Sequence, residues 1–151
     1  MAFPSVAPAF TIIGKRLARV VGIHDGDTIN CILDYGGFYK FPVRMDGIDT
    51  PEMTSKDEGL KKRALLARQR IFELITNNTI DTLGWKKKDF DSYFTSKYHE
   101  VSLDCRGLDK YGRLLASIGD PSFSSILVRE GLAYPYSGKT KLTEQEQLKL
   151  K

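Results

Sequence analysis

Three short stretches concentrate side chains able to handle an anionic ester. Asp25-Gly26-Asp27-Thr28 sets two carboxylates either side of a glycine. Arg44-Met45-Asp46-Gly47-Ile48-Asp49-Thr50-Pro51-Glu52 carries one guanidinium and the carboxylates Asp46, Asp49 and Glu52. Asp109-Lys110-Tyr111-Gly112-Arg113 adds a second arginine, a lysine and a phenol. A phosphodiester repels hydroxide, and attack by water builds further negative charge on the phosphoryl oxygens. Fixed positive charge aimed at those oxygens lowers the barrier. Arginine suits the task because its planar fork reaches two oxygens and keeps its proton, which makes Arg44 and Arg113 the candidates. A hard divalent cation adds to that field and orients phosphate and water. Calcium takes oxygen ligands, and Asp27 and Asp49 offer carboxylates from separate segments. Glu52, past the rigid Pro51, is placed to hold or deprotonate a water, work worth about 10²- to 10⁴-fold in rate.

Each stretch also has an ordinary structural reading. Asp-Gly-Asp is a turn signal, Thr-Pro-Glu opens helices, and Lys-Tyr-Gly-Arg fits a hairpin turn. Their co-occurrence in one short chain is what points to chemistry. Asp46 falls two residues after Arg44, so on a strand both face one way; it then either approaches the cation or pairs with a basic side chain. Asp25 serves the turn or gives a supporting, water-mediated contact.

The elements that must hold these groups are legible in the apolar pattern. Leu17–Ile23, Thr28–Leu33 and Phe38–Met45 read as three strands in a meander, separated by turns at Asp25–Asp27 and Asp34–Gly37. Ser55-x-x-Glu58 reads as a capping box. After it Leu60, Ala64, Ala67, Ile71 and Leu74 recur at helical spacing, with Lys61, Lys62, Arg63, Arg68 and Arg70 between them as a solvated basic face, and the helix stops near Asn77-Asn78. Thr79–Leu83 reads as a strand and Gly84–Glu100 as an extended hairpin or loop. Val101–Cys105 and Arg113–Ile118 read as strands, Phe123–Glu130 as a short helix capped by Ser122, and Thr143–Lys151 as the start of another. The expected class is β-rich α+β: a five-stranded barrel of the oligonucleotide-binding (OB-fold) type with about three packed helices. Residues 1–15 read as a flexible arm and 16–151 as a single domain.

The composition agrees with this class. A chain of 151 residues, 41% hydrophobic and 28% charged, is one domain that folds without staples. Its net charge of +4 is compatible with a polyanionic partner without identifying one. Cys31 and Cys105 have no C-x-x-C spacing and read as buried thiols, with a single disulfide as the alternative. His24 and His99 are isolated, which excludes a zinc framework. Trp85 beside three lysines reads as a partly buried packing residue. The apolar N-terminus lacks a basic start and is broken by Pro4 and Pro8, so it does not read as a signal peptide, which favours an intracellular protein. No run approaches the roughly 20 apolar residues of a membrane helix.

At this point the residues reach a family. Asp25-Gly26-Asp27-Thr28, Arg44 with Gly47-Ile48-Asp49-Thr50-Pro51-Glu52, and Asp109-Lys110-Tyr111-Gly112-Arg113 resemble, in order, three motifs of the staphylococcal nuclease or thermonuclease family. Leu127-Val128-Arg129-Glu130-Gly131-Leu132-Ala133 resembles its later helix and exit, so the likeness runs from about Ala18 to Tyr136. The resemblance implies a calcium-dependent hydrolase of DNA and RNA that leaves 3′-phosphates; little base specificity is expected, because no residue set in the sequence reads base edges, and a monomer is expected. It implies calcium held by the carboxylates of Asp27 and Asp49 and the Thr50 carbonyl, with Glu52 acting on the water and Arg44 and Arg113 clamping the phosphate. It further implies that Lys110 and Tyr111 contact a neighbouring phosphate and that Tyr134 and Tyr136 line the nucleotide pocket. The Gly84–Glu100 segment makes the chain longer there than the bacterial enzyme, either reshaping the groove or forming a harmless flap. The rival reading is a non-catalytic nucleic-acid-binding module of the same fold, which typically loses the carboxylates or arginines retained here. A third reading, in which the motifs are accidental turns, has to explain four of them in the right order.

Overall fold

A computed structural model describes residues 2–136 and 141–150; Met1 of the expected arm and Lys151 of the expected last helix lie outside them. Strands β1 (Ile13–Asp25), β2 (Thr28–Asp34), β3 (Phe38–Met45), β5 (Glu100–Leu108) and β6 (Leu114–Ile118) close a barrel in the order β1-β2-β3-β6-β5. A two-stranded ribbon joins β4 (Ile48–Asp49) to β7 (Tyr134–Pro135). Four helices pack outside, one more than expected: α1 (Glu58–Thr76), α2 (Lys87–Ser96), α3 (Phe123–Arg129) and α4 (Glu144–Leu148). No helix among the described residues is long and apolar enough to cross a membrane.

Alternation explains the barrel. Ile29, Cys31 and Leu33 of β2, Val101, Leu103 and Cys105 of β5, and Leu114, Ala116 and Ile118 of β6 all point into one core, because side chains two apart share a strand face. Closure needs curvature. β1 supplies it with register shifts at Val20/Gly22 and Ile23/Asp25, where an unpaired residue bends the strand. The ring shuts where β3 and β6 run parallel, Val43 opposite Leu114 and Met45 opposite Ala116. β1 begins at Ile13, inside the stretch read as an arm, and Ile12 is fully buried. Both cysteines are free and buried, and burial pushes the Cys31 thiol far above its usual range.

Three segments differ from their sequence reading, each for a local reason. Asp57, not Ser55, is the N-cap of α1: its Oδ1 accepts from Leu60 N at 2.9 Å, while Ser55 Oγ accepts from Asp57 N at 3.2 Å. The stretch Thr79–Leu83 is no strand. Its backbone bonds instead to side chains: Gln69 Oε1 of α1 accepts from Thr82 N and Thr82 Oγ1, both at 2.6 Å, Gln69 Nε2 donates to Ile80 O at 2.8 Å, and Ile80 N and Leu83 N donate to Asn78 Oδ1 and Asp81 Oδ1. Gly84–Glu100 contains α2 rather than a hairpin. Phe90 and Phe94, one helical turn apart, are fully buried; Trp85 and Tyr93 pack edge-on to Phe72 of α1. Polar surface residues masked that i, i+4 pair in the sequence.

The basic face of α1 is only partly solvated. Arg68 is buried, donates to Trp85 O at 2.8 Å and lies over the Phe90 ring. Arg70 grips Glu130 with two bonds of 2.8 and 3.0 Å, and Arg63 donates to Gln147 O at 2.9 Å. These arginines tie α1 to its neighbours, and Lys61 and Lys62 are left exposed.

Candidate active site

The site forms at one end of the barrel, where β1–β2 and β3–β4 turn. Gly26 lets the first turn sit against α1: a Cβ there would fall 2.6 Å from Ala67 Cβ. Asp25 and Thr28 close this hairpin as paired residues, and Asp25 Oδ1 accepts from Asp27 N at 3.1 Å. Thr28 in turn pairs with Arg44 on β3, which sets Asp27 beside the guanidinium. Gly47, at φ +82°, reverses the chain after β3, a conformation that costs a side-chain-bearing residue energy. Asp49 thereby returns to Arg44, and pairing of β4 with β7 puts Tyr134 opposite Asp49.

Arg44 is the hub. Its Nη1 donates to Met45 O at 2.8 Å and Ile48 O at 2.9 Å. Its Nη2 lies 3.2 Å from Asp49 Oδ1 and 3.5 Å from Asp27 Oδ2, and all three side chains are at most 8% exposed. Thr50 Oγ1 donates to Asp27 Oδ2 at 3.1 Å, and Tyr134 Oη donates to Asp49 Oδ2 at 2.5 Å. Charge is therefore held in a dry place by named partners. Burial opposes ionisation of Asp27, but bonds from Asp25, Thr28 and Thr50 and the Arg44 charge hold it below the usual carboxylate range. Burial, then repulsion from Asp27, pushes Asp25 up to about 8. Burial also raises Asp49, against the Tyr134 bond and Lys141.

An open cavity of about 410 Å³ faces this cluster, lined by Asp25, Asp27, Arg44, Thr50, Glu52 and Arg113 among others. Glu52 is 66% exposed at its side chain. Arg113 is anchored through Nε to Asp109 Oδ2 at 2.8 Å, and Asp109 Oδ1 also accepts from the backbone N–H of Tyr111 and of Arg113, each at 2.9 Å. Neither terminal amino group of Arg113 has a partner among the described residues.

The remaining expected residues stand elsewhere. Lys110 and Tyr111 occupy the exposed 109–113 turn outside the cavity lining, stacked as cation over ring at 5.2 Å. Tyr134 is 3% exposed, behind Asp49 rather than along the open pocket. Tyr136 is half-buried, its N–H bonded to Gly47 O at 2.9 Å. Asp46 follows the end of β3, so the same-face argument does not reach it; it is exposed and joins no ion pair among the described residues.

Five lining residues lie outside the sequence motifs: His24, Asn30, Pro42, Lys87 and Lys141. Lys141 Nζ lies 3.5 Å from Asp49 Oδ1 and 3.6 Å from Glu52 Oε1. Partial burial disfavours its charge, yet Asp49 and Glu52 raise its pKa overall. Nothing in a stretch of short basic and polar residues distinguishes it before the fold brings it back.

The donor set suits a hard cation. Its carboxylates and the Thr50 hydroxyl are all oxygen, and Asp27 and Asp49 reach the same Arg44 amino group from separate segments. Among the described residues no three carboxylate, histidine or cysteine side chains gather closely enough to cage a metal, so carbonyl oxygen and water would have to complete its shell.

Against known proteins, the family model described as Staphylococcal nuclease homologue matches residues 42–151. That span holds Arg44, Asp49, Thr50, Glu52 and Arg113, while Asp25 and Asp27 precede it. No curated protein matches the chain.

Proposed function

Because the chain belongs to the family of staphylococcal nuclease homologues, we propose that it is a calcium-dependent nuclease. It hydrolyses phosphodiester bonds of DNA and RNA with little base specificity and leaves 3′-phosphates. The observation that carries this reading is the convergence of Arg44, Asp27, Thr50, Glu52 and Arg113 on one open cavity.

The chain's own groups divide the work. Arg113 turns its unpartnered amino groups to the non-bridging phosphoryl oxygens, its Nε held by Asp109. Arg44 is locked in plane by the Met45 and Ile48 carbonyls. Its approach to Asp27 at 3.5 Å is loose, so a phosphoryl oxygen can compete for the same amino group. Such fixed charge needs no reorganisation as the transition state forms. Glu52, exposed at the cavity, orients a water and accepts its proton as the water oxygen bonds to phosphorus. The bond to the 5′ oxygen breaks, and that oxygen takes a proton from solvent. The carboxylates of Asp27 and Asp49 and the Thr50 carbonyl would hold calcium, with Tyr134 orienting Asp49. Calcium, when bound, adds positive charge at the phosphoryl oxygens and orders the water.

The test is digestion of end-labelled single-stranded DNA and of RNA, with calcium and with chelator, beside Glu52→Ala. Glu52 is exposed, so its loss leaves the fold standing, whereas Arg44 is structural as well. Calcium-dependent cutting, about 10²- to 10⁴-fold slower in Glu52→Ala, with phosphatase-sensitive 3′ ends, is the expected result. A folded wild-type protein that cuts neither polymer with any divalent ion would return the chain to the non-catalytic binding module.

A further inference from the structure

The helix α2 is seated firmly against the barrel and α1. Phe90 and Phe94 bury fully in the core. Asp91 Oδ1 sits so close to β1 that a Cβ on Gly22 would fall 2.6 Å from it. Its first residue, Lys87, lines the same cavity as Arg44 and Arg113, together with His24, Asn30 and Pro42. The cavity carries four firm cations, and three are already engaged: Arg44 with Asp27 and Asp49, Arg113 with Asp109, Lys141 with Asp49 and Glu52. Among the described residues, Lys87 alone of the four pairs with no carboxylate. The start of the helix does not supply an anion site by itself, since the Lys86 N–H donates to Asp89 Oδ2 at 2.7 Å. What α2 contributes is a side-chain ammonium on a rigid mount. His24, 62% exposed at its side chain and 3.8 Å from Asp25, stands on the same wall.

We infer that Lys87, with His24 and Asn30 beside it, forms a subsite for the strand phosphate neighbouring the scissile one. The substrate it selects is a polynucleotide strand with at least two phosphates, over a mononucleotide ester. A strand brings one charge per nucleotide. Seating the scissile phosphate on the two arginines leaves the next one to be met by a cation that has no carboxylate to abandon. Positive grooves that track a backbone without reading bases are the usual device of single-strand binders. The inference rests on the nuclease reading for which phosphate is scissile, and not for the class of ligand.

The test uses the intact protein in excess chelator, where nothing is cut. Fluorescence anisotropy of a labelled single-stranded oligodeoxynucleotide is read across a salt series for wild type, Lys87→Ala and the exposed α1 control Lys62→Ala. Loss of one phosphate contact on a single strand makes the slope of log K against log salt shallower by about 0.7 and weakens all sequences alike. That change in Lys87→Ala, with Lys62→Ala at the wild-type slope, is the expected result. A wild-type slope in Lys87→Ala, or equal losses in both variants, overturns the subsite. Calcium is then added to the wild type. Binding without cutting removes the nuclease reading and leaves the subsite; cutting with an unchanged Lys87→Ala slope does the reverse.

Discussion

Replacing Arg44 by methionine tests whether the cluster at the end of the barrel is held by charge. The side chain is 8% exposed and faces carboxylates that are 8% and 4% exposed. The variant keeps the bulk of the stem and removes the guanidinium, so Met45 O and Ile48 O lose their donor. Asp27 retains Thr50 and Asp49 retains Tyr134, but the two negative charges lose their buried counterion. Breaking a buried pair from one side costs about 3–5 kcal/mol. For a domain of this size each kcal/mol moves Tm by about 2–4 °C, so the expected drop is about 6–20 °C near neutral pH. The sign of its pH dependence follows. Without Arg44 both carboxyls lose a cause that lowers them and titrate higher than in the wild type, so the folded variant binds protons that folded wild type has released. The penalty is then largest well above the raised values and shrinks as pH falls toward the unfolded carboxylate range near 4. Thermal unfolding of wild type and variant followed by circular dichroism at pH 5 and pH 8, in chelator, reads this directly. A Tm within about 2 °C of wild type at pH 8, or a loss that is the same at both pH values, refutes the counterion role.

Other perturbations separate parts of the site. Asp109→Asn removes the anchor of Arg113. Burial opposes its charge, but backbone N–H groups and Arg113 hold Asp109 below the usual range, so its stabilisation is present above the unfolded value near 4 and lost below the depressed one. Urea unfolding is expected to find the variant weaker by roughly 1–2 kcal/mol at pH 7, with the gap narrowing as pH falls below the usual carboxylate range; a gap that does not change with pH would count against the ion pair. Tyr134→Phe deletes the phenol bond to Asp49 and is expected to cost about 1–3 kcal/mol and to lower calcium affinity in titration calorimetry; unchanged stability and affinity would remove the orienting role. Gly26→Ala places a methyl 2.6 Å from Ala67 Cβ and 3.2 Å from Thr50 Cγ2, an overpacking cost of about 1–3 kcal/mol. A wild-type melting curve there would mean that α1 yields easily.

Much of the barrel and the motif residues could be read in the chain because they follow from local rules. β3 occupies Phe38–Met45 as its apolar and aromatic run suggested, and the chain turns at Gly26-Asp27 within Asp-Gly-Asp. Thr143 caps α4 with Glu146 reaching back, as its spacing allows. The helix α2 was hidden because its two buried phenylalanines sit among lysines, aspartates and serines, and periodicity over so few residues is weak evidence. Thr79–Leu83 was misjudged as a strand because its β-branched residues satisfy their backbone through Gln69, a partner at a distance in sequence.

Residue types alone determined which chemistry was available: carboxylates, two arginines and no zinc set, disposed in turn-forming motifs. Tertiary structure decided how those groups share charge. Burial and distance, which no motif encodes, set a lowered Asp27 beside an Asp25 that burial and Asp27 raise, bound Asp49 to Tyr134 across the β4–β7 ribbon, and drew Lys141 between Asp49 and Glu52. The basic face of α1 read as solvated, yet its arginines bind neighbouring elements, because the carboxylates and carbonyls that accept from them arrive from the end of α3, from α4 and from the loop before α2. Lys87, one of three adjacent lysines in the sequence, joined the cavity only through the packing of α2 on β1. Coulomb interactions depend on where the dielectric boundary falls, and only the closed barrel with its helices draws that boundary.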